Sequence, residues 1–544
     1  MGWVYGKSSN TIHSSEATIA IMRLRVPDPI LIFAFCGFFF FWRITAFGLL
    51  GADEPRYAQV AREMLARHDW VTPTLSGIPW LEKPPLYYWQ AMLAFRIFGV
   101  SDWAARLPGA IDSTILVIAA YWFLRRFRRE CALDGALILA TCAGIVGFAR
   151  AASTDMPLAA TFGIAMLAWF AWLETGERQL IVTFYLALGL GVLAKGPVAP
   201  LLGGIVILLF AASQRSWKVA LKTLSLPGIA AFFLVVLPWY TLVQIRNPQF
   251  FRVFLLEHNL ARFGSNLFHH PEPFWYYIPV TLLAWVPWVI FIVFALVLAA
   301  RKLRNPGSDS LNTFLSIWIG VFVVFFSISQ SKLPGYILPA IPPGALLLAN
   351  FLREMRFSKV HPAVIGLHGI ALAALLFSAL MLPSILHGHR LVWTHAAVVP
   401  FVVALFAGAL AALTLIKTGW SGLHLAAVAP AIVVFTLALR FSAPVLDQTL
   451  SARSVSVELA RLANKPLPIA VAKVPRELEF GLQFYRNQTI PRYELDPPPA
   501  GEHLLIMQMG SLQLVENKLE GRHIAYLGEF AEQNLKFFYV GQGE

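Results

Sequence analysis

Runs of about 20 apolar residues recur along the chain, each long enough to cross a bilayer as a helix. Their centres fall near Phe40, Val117, Leu139, Ala165, Leu188, Val206, Leu234, Phe291, Val321, Leu346, Ala374, Ala404 and Val433. That pattern predicts about thirteen spans. The polar stretches between them alternate in character. Arg125-Arg126-Phe127-Arg128-Arg129, then Arg178, then Arg215 with Lys218 and Lys222 fall in every second loop. Arg301-Lys302 with Arg304, Arg353 with Arg356 and Lys359, and Lys417 continue the series. Basic loops stay in the cytoplasm, so residues 1–29 are expected to be a cytoplasmic segment and the odd-numbered loops to face outward. The first run, Ile30 to Leu50, shows no small-residue cleavage pattern and reads as a retained span. Its Arg43 either snorkels to the interface or pairs with a site carboxylate.

Two polar regions break the rhythm. The first loop, within residues 51–100, opens with a helical pattern from Asp53. Asp53 stands where an N-cap would, with Pro55 just inside the helix. Tyr57, Val60, Ala61, Met64 and Leu65 share one face, and Arg56, Gln59, Arg62, Glu63 and Arg67 take the other, as in a helix lying on a membrane surface. A second juxtamembrane helix is expected over Leu86 to Phe98, and a second large outer loop spans residues 246–277. Beyond residue 441 the periodicity changes. Helices are expected at Val455–Leu462 and Glu477–Tyr485, and strands at Ile469–Lys473, His503–Gln508, His523–Gly528 and Phe537–Val540. The architecture is therefore mainly α, with a transmembrane domain over residues 30–440 followed by a small soluble α/β domain over residues 441–544.

Composition supports that class and removes others. The chain of 544 residues is 58% hydrophobic and 13% charged, where a soluble domain carries about a quarter charged residues. Its net charge of +13 lies in short clusters between apolar runs, without a nucleic-acid-binding motif, so no nucleic acid partner is expected. Cys36, Cys131 and Cys142 have neither zinc-ligand nor CxxC spacing. No nucleotide-cofactor motif and no internal repeat of the transporter kind occurs.

The candidate chemistry gathers in the odd loops. Asp53 and Asp155 each end a span with a proline two residues later, a pattern that suits a helix cap and equally a shared acidic site. Glu82-Lys83-Pro84-Pro85 fixes the direction of a carboxylate and a lysine through two prolines. Lys195 and Lys332 run against the charge bias of outer loops, and with Arg56, Lys83 and Arg262 they suit a basic pocket for phosphate. Glu257, His258, His269 and His270 are candidate metal ligands beside Glu82, without a diagnostic spacing.

The run Asp53-Glu-Pro-Arg-Tyr57, followed by Asp69-Trp70, Gly77 to Lys83 and Pro84-Pro85-Leu-Tyr-Tyr-Trp89, resembles the bacterial members of the protein O-mannosyltransferase-like GT-C superfamily. The resemblance continues through Ser153-Thr-Asp-Met-Pro157, Lys195-Gly-Pro197 and Lys332-Leu-Pro-Gly-Tyr336. It is nearest to the branch that transfers aminoarabinose to lipid A, which underlies polymyxin resistance. The resemblance implies that Asp53 and Asp155 are active-site carboxylates and that Lys83 and Tyr336 lie near a carrier phosphate. Tyr57 would join the donor site. Glu82 would contact a divalent metal, zinc or another, with His258 as second ligand.

The implied reaction moves 4-amino-4-deoxy-L-arabinose from undecaprenyl phosphate to a lipid A phosphate by direct, inverting displacement. A phosphate acceptor is already anionic and needs little base catalysis. The implied setting is a monomer in the bacterial inner membrane, with membrane lipids as partners and its site and C-terminal domain periplasmic. Two alternatives stand beside it: a GT-C transferase with a protein or other glycan acceptor, and a transporter for a lipid-linked sugar. The transporter would need charges near the bilayer midplane and repeated halves.

Overall fold

The computed structural model describes residues 26–261, 272–302, 309–355, 358–386, 395–462, 467–510 and 516–543. Helices α1 (Asp28–Cys36), α2 (Asp53–Ala66), α3 (Leu86–Phe98), α4 (Asp102–Phe127), α5 (Ala132–Thr141) and α6 (Ala143–Ala149) come first. They are followed by α7 (Asp155–Thr175), α8 (Arg178–Lys195), α9 (Val198–Ser213), α10 (Trp217–Thr223) and α11 (Leu226–Arg246). Next come α12 (Tyr277–Ala284), α13 (Val289–Lys302), α14 (Ser310–Ile328), α15 (Ile341–Met355), α16 (Pro362–Leu386), α17 (His395–Thr418) and α18 (Leu423–Leu437). The C-terminal region adds α19 (Ala443–Leu450), α20 (Ala452–Leu462) and α21 (Arg476–Arg486).

Among the described residues eight helical segments are long and apolar enough to cross a membrane, or ten if each of two bent pairs is one span. That number stops short of about thirteen because two apolar helices are short and Ala397–Leu450 enters as a single segment of 54 residues. Every predicted centre nevertheless lies in a helix. The bends have local causes. Cys142 is extended between α5 and α6, which meet at 61°. Pro287 lies in the break between α12 and α13, which meet at 115°.

The two loop series converge on opposite ends of the bundle. At one end Arg126 pairs with Glu177, Arg128 with Asp309 at 3.0 Å, and Ser310 lies 3.4 Å from Glu174. At the other end Glu54 accepts from the Ala152 amide at 3.0 Å, Lys195 pairs with Asp155, and Lys332 reaches the Glu272 carbonyl at 3.0 Å. Asp155, Lys195 and Lys332, singled out from the sequence, lie at this second end.

Helix α2 corrects two expectations. Asp53 is its first residue, Ala52 holds the cap position, and no side chain caps the helix. Asp53 and Glu54 instead place negative charge on the first turn, where the helix dipole favours it. Nor is the polar face of α2 left open along its whole length. The helix is packed between α3 and α21, and Gln59, expected on the outer face, is buried along with Tyr57, Val60, Ala61 and Met64. Helix α3 occupies Leu86–Phe98 as expected. Arg43 lies exposed in a turn, and its carbonyl accepts from Arg150 at 2.7 Å.

The C-terminal domain carries the expected α/β pattern. A short hairpin, β1 (Thr74–Leu75) and β2 (Ile78–Pro79), lies in the first loop. The C-terminal strands are β3 (Ile469–Ala472), β4 (His503–Gln508), β5 (Arg522–Phe530) and β6 (Leu535–Gly543), in the order β3-β4-β6-β5. Strand β3 pairs parallel with β4, and the other pairs are antiparallel. One sheet face packs on α20 and α21 through Val455, Leu459, Leu478, Leu482, Ile506 and Phe537.

His503 is fully buried at the start of β4, with Nδ1 2.8 Å from the Gly501 carbonyl and Nε2 2.6 Å from the Tyr493 hydroxyl. A carbonyl only accepts, so Nδ1 carries the proton and the neutral ring accepts from Tyr493 at Nε2. Burial, with Arg522 nearby, lowers the His503 pKa below the ordinary histidine value. The folded state therefore binds fewer protons than the unfolded one. The contribution is complete above a pH of about 6.5 and is lost as pH falls towards the folded pKa. One such group gives a slope of at most about 1.4 kcal/mol per pH unit. Thermal unfolding of the full chain between pH 7 and 5 should show this loss, and His503→Gln should flatten it.

Candidate active site

Four loops build the site. Asp155 opens α7, and Thr154 rather than Asp155 holds the cap position. Its carboxylate pairs with Lys195 at the end of α8 and accepts from the Ser153 hydroxyl at 2.8 Å. Ser153 in turn accepts from the Asp155 amide at 2.9 Å. The Lys195 ammonium lies 4.5 Å from the centre of the Tyr336 ring, a cation–π contact. Lys83, only 9% exposed, is near enough for its charge to act on Asp155. Asp155, Lys195, Lys83 and Tyr336 are thus brought together from four stretches of chain. The reading of both acids as helix caps does not hold.

Asp155 has a close neighbour that no sequence argument identified. A methyl group built on Gly335 would stand 2.6 Å from its carboxyl carbon and 2.7 and 2.8 Å from the oxygens. The carboxylate is short and held on two sides, so it cannot yield without leaving Lys195. Gly335→Ala is expected to lower turnover by roughly 10- to 100-fold, the scale of a displaced group of about 1 Å. The measurement is turnover alongside the melting temperature, which should fall as well because the displaced carboxylate leaves Lys195; wild-type turnover would show that the carboxylate yields without loss.

The second half of the site is the start of α2. Arg56 pairs with Asp53 and is 14% exposed, whereas the Asp53 side chain is 52% exposed. Burial works against the Arg56 cation, but Tyr57, Asp53 and Glu82 outweigh it and hold its pKa above the usual arginine value. Burial, with Asp53 beside it, pushes the Tyr57 phenol well up, so Tyr57 stays a hydroxyl donor. Arg56, Lys83 and Lys195 are therefore interleaved with Asp53, Glu82 and Asp155.

Other predicted residues fall elsewhere. The Lys332 ammonium bonds to the carbonyls of Ser329 at 2.6 Å and Glu272 at 3.0 Å, which engages it in holding the turn before Pro334. Glu257 is exposed and lies 3.3 Å from Arg252. Arg262, His269, His270 and the His258 side chain lie outside the described residues. Among the described residues no group of three His, Cys, Asp or Glu side chains could hold a metal ion, so those around Glu82 offer no ready ligand set.

Two further residues set the frame: Glu54, which stands in the first-loop run, and Arg106, which no motif singles out. Arg106, fully buried in α4, donates to the carbonyls of Ile44 at 2.9 Å, Phe47 at 2.8 Å and Gly48 at 2.8 Å. It also pairs with Glu54 at 2.7 Å, and Glu54 accepts from the amides of Leu50 at 2.9 Å and Ala152 at 3.0 Å. Glu54, held by Arg106, thus ties the first loop to the second through the Ala152 amide, one residue beyond Asp53 on one side and three before Asp155 on the other. An arginine within an apolar span was the signal that could have found it.

Residues 82–241 match the dolichyl-phosphate-mannose-protein mannosyltransferase family. The chain is 32% identical over 370 residues to an undecaprenyl phosphate-alpha-4-amino-4-deoxy-L-arabinose arabinosyl transferase of Pseudomonas aeruginosa (strain UCBPP-PA14). That match covers 65% of this chain and 66% of the relative, just under two thirds of its length. A transferase of the same name from Enterobacter sp. (strain 638) is 31% identical over 56% of this chain and 55% of its own. Among solved structures, ArnT from Cupriavidus metallidurans bound to undecaprenyl phosphate superposes with a TM-score of 0.77 at 22% identity. It covers 94% of this chain and 97% of that one, so the fold is shared along nearly the whole length. The resemblance read from the first loop therefore holds in sequence and in fold.

Proposed function

We propose that this chain, a membrane protein with the GT-C fold and related to the aminoarabinose transferases, moves 4-amino-4-deoxy-L-arabinose from undecaprenyl phosphate to a phosphate of lipid A. The observation that carries this reading is the interleaving of acids and cations at one end of the bundle. Three cations stand against three acids, so the site is near neutral before substrate arrives. An aminosugar on a carrier phosphate is itself a zwitterion. It can exchange partners with the Arg56–Asp53 pair, phosphate to Arg56 and ammonium to the exposed Asp53, without change of net charge. A neutral sugar on the same phosphate would leave Asp53 unmatched.

In the reaction an acceptor phosphate oxygen attacks the anomeric carbon, a new carbon–oxygen bond forms, and the bond to the carrier phosphate breaks with inversion. The carrier phosphate leaves with the bonding pair and gains charge. Arg56, Lys83 and the Lys195–Tyr336 pair are placed to stabilise that charge, as a preorganised electrostatic site. Asp155 holds Lys195 in place, Tyr57 supplies a hydroxyl, and Asp53 orients the sugar. The loop charges favour a bacterial inner-membrane protein of about thirteen spans, its N-terminus cytoplasmic and both site and C-terminal domain periplasmic.

The test is transfer by purified protein from undecaprenyl-phosphate aminoarabinose to lipid A, read by mass spectrometry, with an undecaprenyl-phosphate neutral pentose as competing donor. A gain of one aminoarabinose and no pentose is expected. Equal use of both donors would refute the partner exchange. Intact donor and no modified lipid A would move the acceptor to another glycan or a protein.

A further inference from the structure

The C-terminal domain reaches the candidate site through α21. Arg62 of α2 donates to the Phe484 carbonyl at 2.7 Å, and the Leu49 amide donates to the Tyr485 hydroxyl at 2.8 Å. The Phe484 ring packs into a cluster with Tyr57, Met64, Tyr87 and Phe95. Gly48 permits the approach, since a methyl there would stand 2.2 Å from the Ser451 hydroxyl and 2.6 Å from that of Tyr485. A second anchor is Arg453, which pairs with Asp102 at 3.0 Å and Asp447 at 2.9 Å.

Seated in this way, α21 presents Phe480 to the site. The Arg56 guanidinium carbon lies 5.6 Å from the centre of the Phe480 ring, 4.9 Å from that of Trp80 and 5.3 Å from that of Tyr57. Rings from three stretches of chain surround one guanidinium, with Asp53 on its edge. A free arginine side chain has many rotamers. Aromatic faces against its planar group remove most of them and set which edge points outward.

We infer that Phe480 is a positioning residue of this site: the C-terminal domain closes an aromatic cage on Arg56 and so fixes the guanidinium edge that meets Asp53 and the donor phosphate. The identity of that phosphate rests on the function proposed above, whereas the cage rests on the packing alone.

The test uses four full-length proteins: wild type, Phe480→Leu, Arg56→Met and the double variant. Thermal unfolding without substrate comes first. The double variant is expected to lose less than the sum of the two single losses, and additive losses would overturn the cage. Turnover with the aminoarabinosyl donor and lipid A comes second. Phe480→Leu is expected to lower kcat/KM about tenfold and Phe480→Tyr to stay within about threefold of wild type, because only the tyrosine keeps a ring face. Phe480→Leu should add no loss to Arg56→Met. Equal effects of leucine and tyrosine would overturn the positioning role. Thermal coupling in a wild-type protein that transfers no sugar would support the cage and sink the proposed function.

Discussion

Asp155→Asn is expected to reduce sugar transfer by a factor on the order of 100 to 1,000, the cost of losing one preorganised electrostatic group. The loss arises through Lys195. Its side chain is 11% exposed, and its ammonium pairs with Asp155 and lies over the Tyr336 ring. An asparagine keeps the shape of the carboxylate and removes its charge, so Lys195 is left free to turn away from the position in which it meets the carrier phosphate. The same change is expected to destabilise the fold by about 2–3 kcal/mol, on the low side for a broken buried pair because water still reaches both partners. The check is turnover of Asp155→Asn beside the double variant Asp155→Asn, Lys195→Met. The double variant should regain stability and no activity. An active Asp155→Asn protein would return this acid to a structural part.

Arg106→Met is expected to have the largest effect on stability, at least about 3–5 kcal/mol, the range for a buried ion pair that loses one partner. The substitution also removes three hydrogen bonds to backbone carbonyls. The Glu54 side chain, 12% exposed, would keep its charge without the cation beside it. A domain is stable by only about 5–15 kcal/mol, so much of the variant should fail to accumulate folded. Adding Glu54→Gln should restore part of the loss, because glutamine can still accept from the amides of Leu50 and Ala152. The yield of folded protein by size-exclusion chromatography and its melting temperature decide the matter. A lone Arg106→Met variant with wild-type melting would show that the pair is dispensable.

What the sequence made legible follows its range of action. Apolar periodicity is local, and every predicted span centre lies in a helix. The strand at His503–Gln508 and the helix at Leu86–Phe98 match residue for residue. The four-strand order does not follow from such patterns, nor do the breaks at Cys142 and Pro287. The cap position lies one residue before each of Asp53 and Asp155, because Asp53-Glu-Pro and Asp155-Met-Pro fit either a cap or a first turn. The opposite face of α2 was assigned to solvent or lipid because its partner, α21, lies over 400 residues away in the chain. Glu54 and Gly335 stand in the quoted motifs, but their partners were out of reach for the same reason. Each gains its meaning from a residue far along the chain, Arg106 for the first and Asp155 for the second.

The seating of α21 against α2 also bears on how such proteins diverge. A terminal domain with its own sheet looks like a module that recombination could exchange whole. Here that exchange would carry away Phe480, Phe484 and Tyr485 and leave their counterparts on the first loop facing foreign side chains. A chimera joined near residue 441 should therefore fold and work poorly unless residues 42–99 travel with the new domain. The heritable unit is then discontinuous: two segments separated by most of the transmembrane bundle must change in step, while the spans between them drift more freely.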